Sequence, residues 1–214
     1  MAQTTDRRRQ AGSKARADLL DAALAVIREK GYTATTVDDI CQRAGRTKGS
    51  FFHHFEGKEA LAVAAADHWS ETTAALFRAA PYHAHADPLD RLIAYVDFRR
   101  AILAGAPPEF TCLVGTMVQE TYATHDEIRA ACARSILGHA HTLEADIEAA
   151  IAARGLRPDW TAASLARHTQ AVIQGAFILA KATGGPEPAA ESIDHLRRYI
   201  TLLFEHRPPR EDQA

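Results

Sequence analysis

The chain has 214 residues and 47% hydrophobic content, enough for a small domain and a larger one with a substantial core; its net charge of −2 hides 11 Lys and Arg against 7 Asp and Glu in residues 1–58, and 14 against 20 in the rest. No run of roughly 18 or more apolar residues occurs, which excludes a membrane-spanning helix. Cys41, Cys112 and Cys132 make no disulfide framework, and the polar, basic start has no apolar h-region, so a reducing cytoplasm without a secretory signal is expected.

Arg7, Arg8, Arg9, Lys14 and Arg16 read either as an arm able to touch a minor groove or as a disordered solubilising tail. Leu20, Ala23, Leu24 and Ile27 recur at i, i+3, i+4, i+7, which predicts a helix from about Ala15 to Lys30, stopped by Gly31. Thr36 followed by Asp39 fits a capping box, with Val37, Ile40 and Ala44 on one face of the helix it opens. Gly45 sits where a helix ends in the left-handed region, and Thr47 is the natural N-cap of the next helix. There Phe51 and Phe55 can bury against the preceding helices while Lys48, Ser50 and His54 turn outward. From Thr47 to Phe55 no acidic residue occurs, a face suited to approaching a polyanion.

No proline interrupts Lys58 to about Ala80, so one long helix is predicted. Prolines then precede apolar-periodic segments at roughly Leu89–Ala104, Glu109–Tyr122, Asp126–Arg154, Thr161–Thr183 and Pro188–Phe204. The result is an all-α chain of about nine helices: residues 1–58 a basic helix-turn-helix domain, 59–206 a helical body, 207–214 a polar tail. Leu165, Val172, Ala176 and Leu179, with Ile193, Leu196, Ile200 and Leu203, form stripes that serve either intrachain packing or a second copy.

Eleven histidines invite a search for a metal or catalytic site, but they do not assemble. His139 and His141 diverge on a helix, no His-Glu-x-x-His or Cys-x-x-Cys occurs, and no glycine loop fits a phosphate; Gly184-Gly185-Pro186 is a helix-ending turn. No metal, cofactor or enzymatic role is expected.

The run from Thr36 to Leu61, Thr-Val-x-x-Ile-x-x-x-Ala-Gly-x-Thr-Lys-Gly-Ser-Phe-Phe-His-His-Phe-x-x-Lys-Glu-x-Leu, resembles the TetR (TetR/AcrR) family of transcriptional regulators. The resemblance implies that Thr36, Arg43, Arg46, Thr47, Lys48, Gly49, Ser50, Phe52, His53, His54 and Lys58 stand at the DNA-facing positions. Phe52 replaces a tyrosine whose hydroxyl reaches a phosphate in many relatives, and Arg46 replaces a small apolar residue. Lys58 opposes the dipole at a helix start, a conflict that a docked phosphate would relieve.

The family likeness further implies a homodimer through the last two long helices, binding a double-stranded, pseudo-palindromic DNA operator as a repressor that a small-molecule effector releases; an activator using the same reader is the alternative. Candidate effector contacts are Trp69, Tyr95, Phe98, Arg99, Cys112, Gln119, Tyr122, Gln170 and Gln174. Thr111-Cys112-Leu113 is similar to a Gly-Cys-Leu opening of the sixth helix in a subgroup of the family. Some members of that subgroup sense electrophiles or oxidants through the matching cysteine, which makes thiol sensing at Cys112 a second alternative; a small buried hydrophobe is the plain reading.

Overall fold

The structure, a computed structural model, describes residues 2–205, with the side chains of residues 2–9 and 11 outside the description. The side chains of Arg7, Arg8 and Arg9 and the expected polar tail therefore lie outside the described residues. Within them are eleven α-helices, one 3-10 turn and no strand.

The helices are α1 (Ala2–Lys30), α2 (Val37–Ala44), α3 (Lys48–His54), α4 (Lys58–Arg78), α5 (Pro88–Ala101), α6 (Pro107–Phe110), α7 (Leu113–Thr121), α8 (Asp126–His141), α9 (Glu144–Ala153), α10 (Ala162–Thr183) and α11 (Glu187–Glu205), with the 3-10 turn at Pro81–Ala84. Two predicted segments divide. Asp126–Arg154 breaks because Thr142 and Leu143 donate to His139 and Ala140, three residues back, tightening and redirecting the chain. Glu109–Tyr122 breaks at Cys112, whose extended backbone (φ −82°, ψ 124°) caps α7. The first helix begins at Ala2 rather than near Ala15, since no proline stands in its way.

Two compact units form: the chain through Ala75 with Thr111–Ile136, and Leu76–Phe110 with the chain from Leu137 on. Packing thus divides the chain within α4 and places α7 and the first part of α8 with the helix-turn-helix. In the first unit, Leu19, Ala23 and Ile27 of α1 meet Ile40 and Cys41 of α2, Phe51 and Phe55, Leu61 and Ala65 of α4, Leu113 and Met117 of α7, and Ile128 and Cys132 of α8. Burial pushes the Cys132 thiol up to about 12.

In the second unit α10 packs on α11, and α5 on α9 and α11. Of the two roles open to the apolar stripes, intrachain packing takes most of their residues. Leu165, Ala176, Ile193, Leu196 and Ile200 are buried within the chain, because these two helices pack on each other and on α5. Val172 and Leu203 are half-buried, and only Leu179 of the stripe is exposed. The apolar residues left facing outward on the pair are Ile178, Leu179, Tyr199 and Leu202, at 49%, 49%, 44% and 63% exposure.

Candidate nucleic-acid interface

The tip is built from local hydrogen bonds and two buried rings. Thr36 Oγ1 accepts the Asp39 N–H at 3.2 Å while the Asp39 carboxylate accepts the Thr36 N–H at 2.8 Å. Lys30, 2.6 Å away, and then Thr36 hold the Asp39 carboxyl well below the usual carboxylate range. Gly45 ends α2 at φ 61°, a conformation other side chains resist, and Thr47 starts α3 by accepting the Ser50 N–H at 3.1 Å.

Phe51 is fully buried and Phe55 nearly so, and they fix the rotation of α3. Thr47, Lys48, Gly49, Phe52 and His53 therefore face outward, with Ser50 and His54 half-buried at the edge. Burial, then His53 and Arg16, hold the His54 ring below its usual range and so neutral at pH 7.

Two of the candidate cations are held weakly. Lys48 meets Asp38 at 2.8 Å, with side chains 61% and 68% exposed, and Arg43 meets Glu29 at 2.9 Å, with side chains 52% and 43% exposed. Exposed pairs of this kind contribute about 1 kcal/mol or less, so either cation can exchange its carboxylate for another anion.

Two others are committed elsewhere. Arg46 neither points into water nor stands free for phosphate: it is pinned to Asp18 of α1, and this contact is the main cause of the depressed Asp18 carboxyl. Lys58 turns inward and donates to Tyr32 O at 3.1 Å and Thr35 O at 3.0 Å, with its ammonium 4.3 Å from the Tyr32 ring centre. Those carbonyls, not a phosphate, relieve its conflict with the α4 dipole.

Sequence reasoning missed the groups that fix these side chains: Glu29, Asp18 and Asp38. It also missed Glu120 of α7, whose carboxylate accepts the Tyr32 N–H at 3.2 Å and the Thr33 N–H at 2.7 Å. No local spacing relates these residues to the groups they hold.

Gly49 has no internal justification. A Cβ there would meet only Thr47 Oγ1, at 3.7 Å, an ordinary contact. Gly49 is the second residue of α3, where an alanine would suit the helix at least as well.

In the second unit the structure brings together Tyr95, Phe98, Arg99 and Gln170 of the expected effector contacts, joined by Phe77, Tyr82, His139 and Phe177. Gln170 Nε2 donates to Tyr95 Oη at 3.0 Å, and Tyr95 lies 2.9 Å from His139 Nε2. Burial, then Arg99, lowers His139 to about 3, so the ring is neutral and accepts from the tyrosine. The spacing of His139 to His141 carries no sign of a partner on α5.

Gln174, one turn beyond Gln170, is half-buried. The others do not join this cluster. Trp69 packs on the first unit's core under Arg28. Gln119 is exposed and donates to Gly115 O at 2.7 Å, and Tyr122 is 62% exposed. Cys112 is half-buried in the first unit, its Sγ accepting the Gly115 N–H at 3.4 Å. Among the described residues no helix is long and apolar enough to cross a membrane, and no three His, Cys, Asp or Glu side chains gather to hold a metal ion.

A short, exposed, acid-free helix docked across a glycine turn on a second helix defines a helix-turn-helix transcriptional regulator. The family model described as bacterial regulatory proteins, tetR family, matches residues 19–65, and the one described as tetracyclin repressor-like, C-terminal domain, matches residues 88–196. The chain belongs to the TetR family; it is a DNA-binding regulator of transcription, not an enzyme.

Transcriptional regulator AcuR of Cereibacter sphaeroides is 34% identical over 119 residues, 56% of this chain and 54% of that protein, so the match spans about half of its length. A regulatory protein TetR from Rhodobacter sphaeroides superposes with a TM-score of 0.74 at 27% identity, over 86% of this chain and 98% of that one. A TetR transcriptional regulator from Chloroflexus aurantiacus gives 0.76 at 28% identity, over 90% and 96%.

Proposed function

We propose that the protein is a cytoplasmic homodimeric repressor that holds a pseudo-palindromic operator through α3 and its copy, and leaves it when a small molecule occupies the body. The observation that carries the DNA contact is the outward face Thr47-Lys48-Gly49, free of acidic residues and fixed by the buried Phe51 and Phe55. Thr36, Arg43, Ser50, Phe52, His53 and His54 border this surface. Two such helices about 34 Å apart would meet successive major-groove faces, which one short helix cannot do.

The test is affinity for the DNA upstream of the protein's own gene, measured across salt. Affinity should fall steeply with salt, and Lys48→Ala should weaken binding to all sequences and reduce the logarithmic salt slope by about 1. Gly49→Ala should leave the melting temperature unchanged or raise it, yet weaken binding, because its Cβ meets the duplex rather than the fold. Salt-insensitive binding, or none, refutes the reading. Higher expression of the adjoining gene on deletion supports repression, and lower expression supports activation through the same reader.

A second reading, thiol sensing, draws on Cys112 at the head of α7, accepting an amide N–H and less buried than Cys41 or Cys132. If it holds, Cys112→Ser abolishes the response to a thiol reagent and leaves operator affinity intact. An unaltered response removes it.

A further inference from the structure

The most buried arginine of the second unit has no carboxylate partner. Arg91 binds Asp146 at 2.7 Å, Arg100 binds Asp194 at 2.7 Å, Arg154 binds Asp87 at 3.1 Å and Arg197 binds Asp97 at 2.9 Å. Arg78, Arg157, Arg167 and Arg198 are exposed, where water solvates the charge. Arg99 is only 8% exposed, and among the described residues it makes no hydrogen bond and no ion pair.

Its guanidinium instead lies over two rings, Phe77 at 5.2 Å and Phe177 at 5.6 Å from their centres. Aromatic faces attract a cation but supply no countercharge and no acceptor for the five N–H donors. The nearby polar chain is already closed on itself, Gln170 donating to Tyr95 and Tyr95 to neutral His139. A nearly buried charge with no countercharge disfavours the folded state, and an anion reaching its remaining exposed edge would complete it.

We infer that Arg99 anchors a small monocarboxylate with an apolar body, which takes two parallel N–H···O bonds from the guanidinium and is covered by the surrounding phenyl rings. This deepens the ligand-gated reading above and rests on it for the word effector. A single buried cation suits a single negative charge, and the planar fork of arginine matches a carboxylate with both oxygens.

The experiment is calorimetric titration of the full-length protein with butyrate, octanoate and benzoate, set against benzamide and inorganic phosphate. Operator occupancy is read on the same samples. At least one carboxylate should bind, while benzamide and phosphate should not. Arg99→Met should lose that binding by about tenfold or more, with Arg99→Lys intermediate, because the point charge survives without the fork. Arg99→Met should also melt above the wild type in the absence of ligand, the reverse of what a purely structural arginine would give.

No binding by all three carboxylates, equal binding of benzoate and benzamide, or unchanged carboxylate binding in Arg99→Met overturns the assignment. Carboxylate binding that leaves the operator occupied keeps the Arg99 site and removes the gating reading. Release by an uncharged ligand that Arg99→Met does not affect keeps the gating and removes the site.

Discussion

Phe51→Ala should cost about 3–5 kcal/mol and abolish operator binding, while Phe52→Ala, one residue on, should change stability by about 0.5 kcal/mol or less. The two rings lie 5.2 Å apart between centres, yet Phe51 is fully buried and Phe52 is 58% exposed. Removing Phe51 leaves a void against α1 and α2 that a seven-residue helix cannot close by shifting, since Thr47 and Phe55 bound it on both sides. A domain stabilised by about 5–15 kcal/mol loses a large share of that in one substitution. Denaturant titration checks the stability and anisotropy with operator DNA the binding. A small loss for Phe51→Ala would mean that α3 is not held by this ring.

Leu202→Glu, alone or with Ile178→Glu, should convert the proposed dimer to monomer and weaken operator binding by about 100-fold or more. Four of the eight large hydrophobic residues left exposed among the described residues stand on α10 and α11, which is why the dimer face is sought there. In a two-fold interface each substitution acts twice, and each places a carboxylate where its counterpart is apolar. Leu202 is 63% exposed, so within one chain the change should leave the melting of a monomer nearly untouched. Sedimentation and a DNA titration decide the matter together. A variant that remains dimeric would show that another surface pairs the copies.

What could be read from the sequence was local. The capping box at Thr36 and Asp39, the left-handed Gly45 and the Thr47 cap each depend on residues within four positions, and each is present. The fate of the cations was not legible, because their partners are distant along the chain: Arg46 finds Asp18 on α1, and Lys58 finds carbonyls at Tyr32 and Thr35. Arg99 and Arg100 make the point most sharply. Adjacent positions on a helix lie about 100° apart, so one of the pair turns inward and the other outward. Spacing alone did not say which; packing sends Arg99 among the rings and leaves Arg100 to Asp194. The division of α8 from α9 was likewise hidden, as no proline marks it and Gly138 lies inside α8 rather than at the break.

The link between Glu120 and the amides of Tyr32 and Thr33, with Lys58 gripping carbonyls of the same turn, makes the bend after the first helix a clasp fastened from two directions. In the proposed reading, bases would meet a stiff die rather than a pliable finger. Induction should then alter how firmly the protein stays on its site while leaving its choice among point-mutated sites in the same rank order.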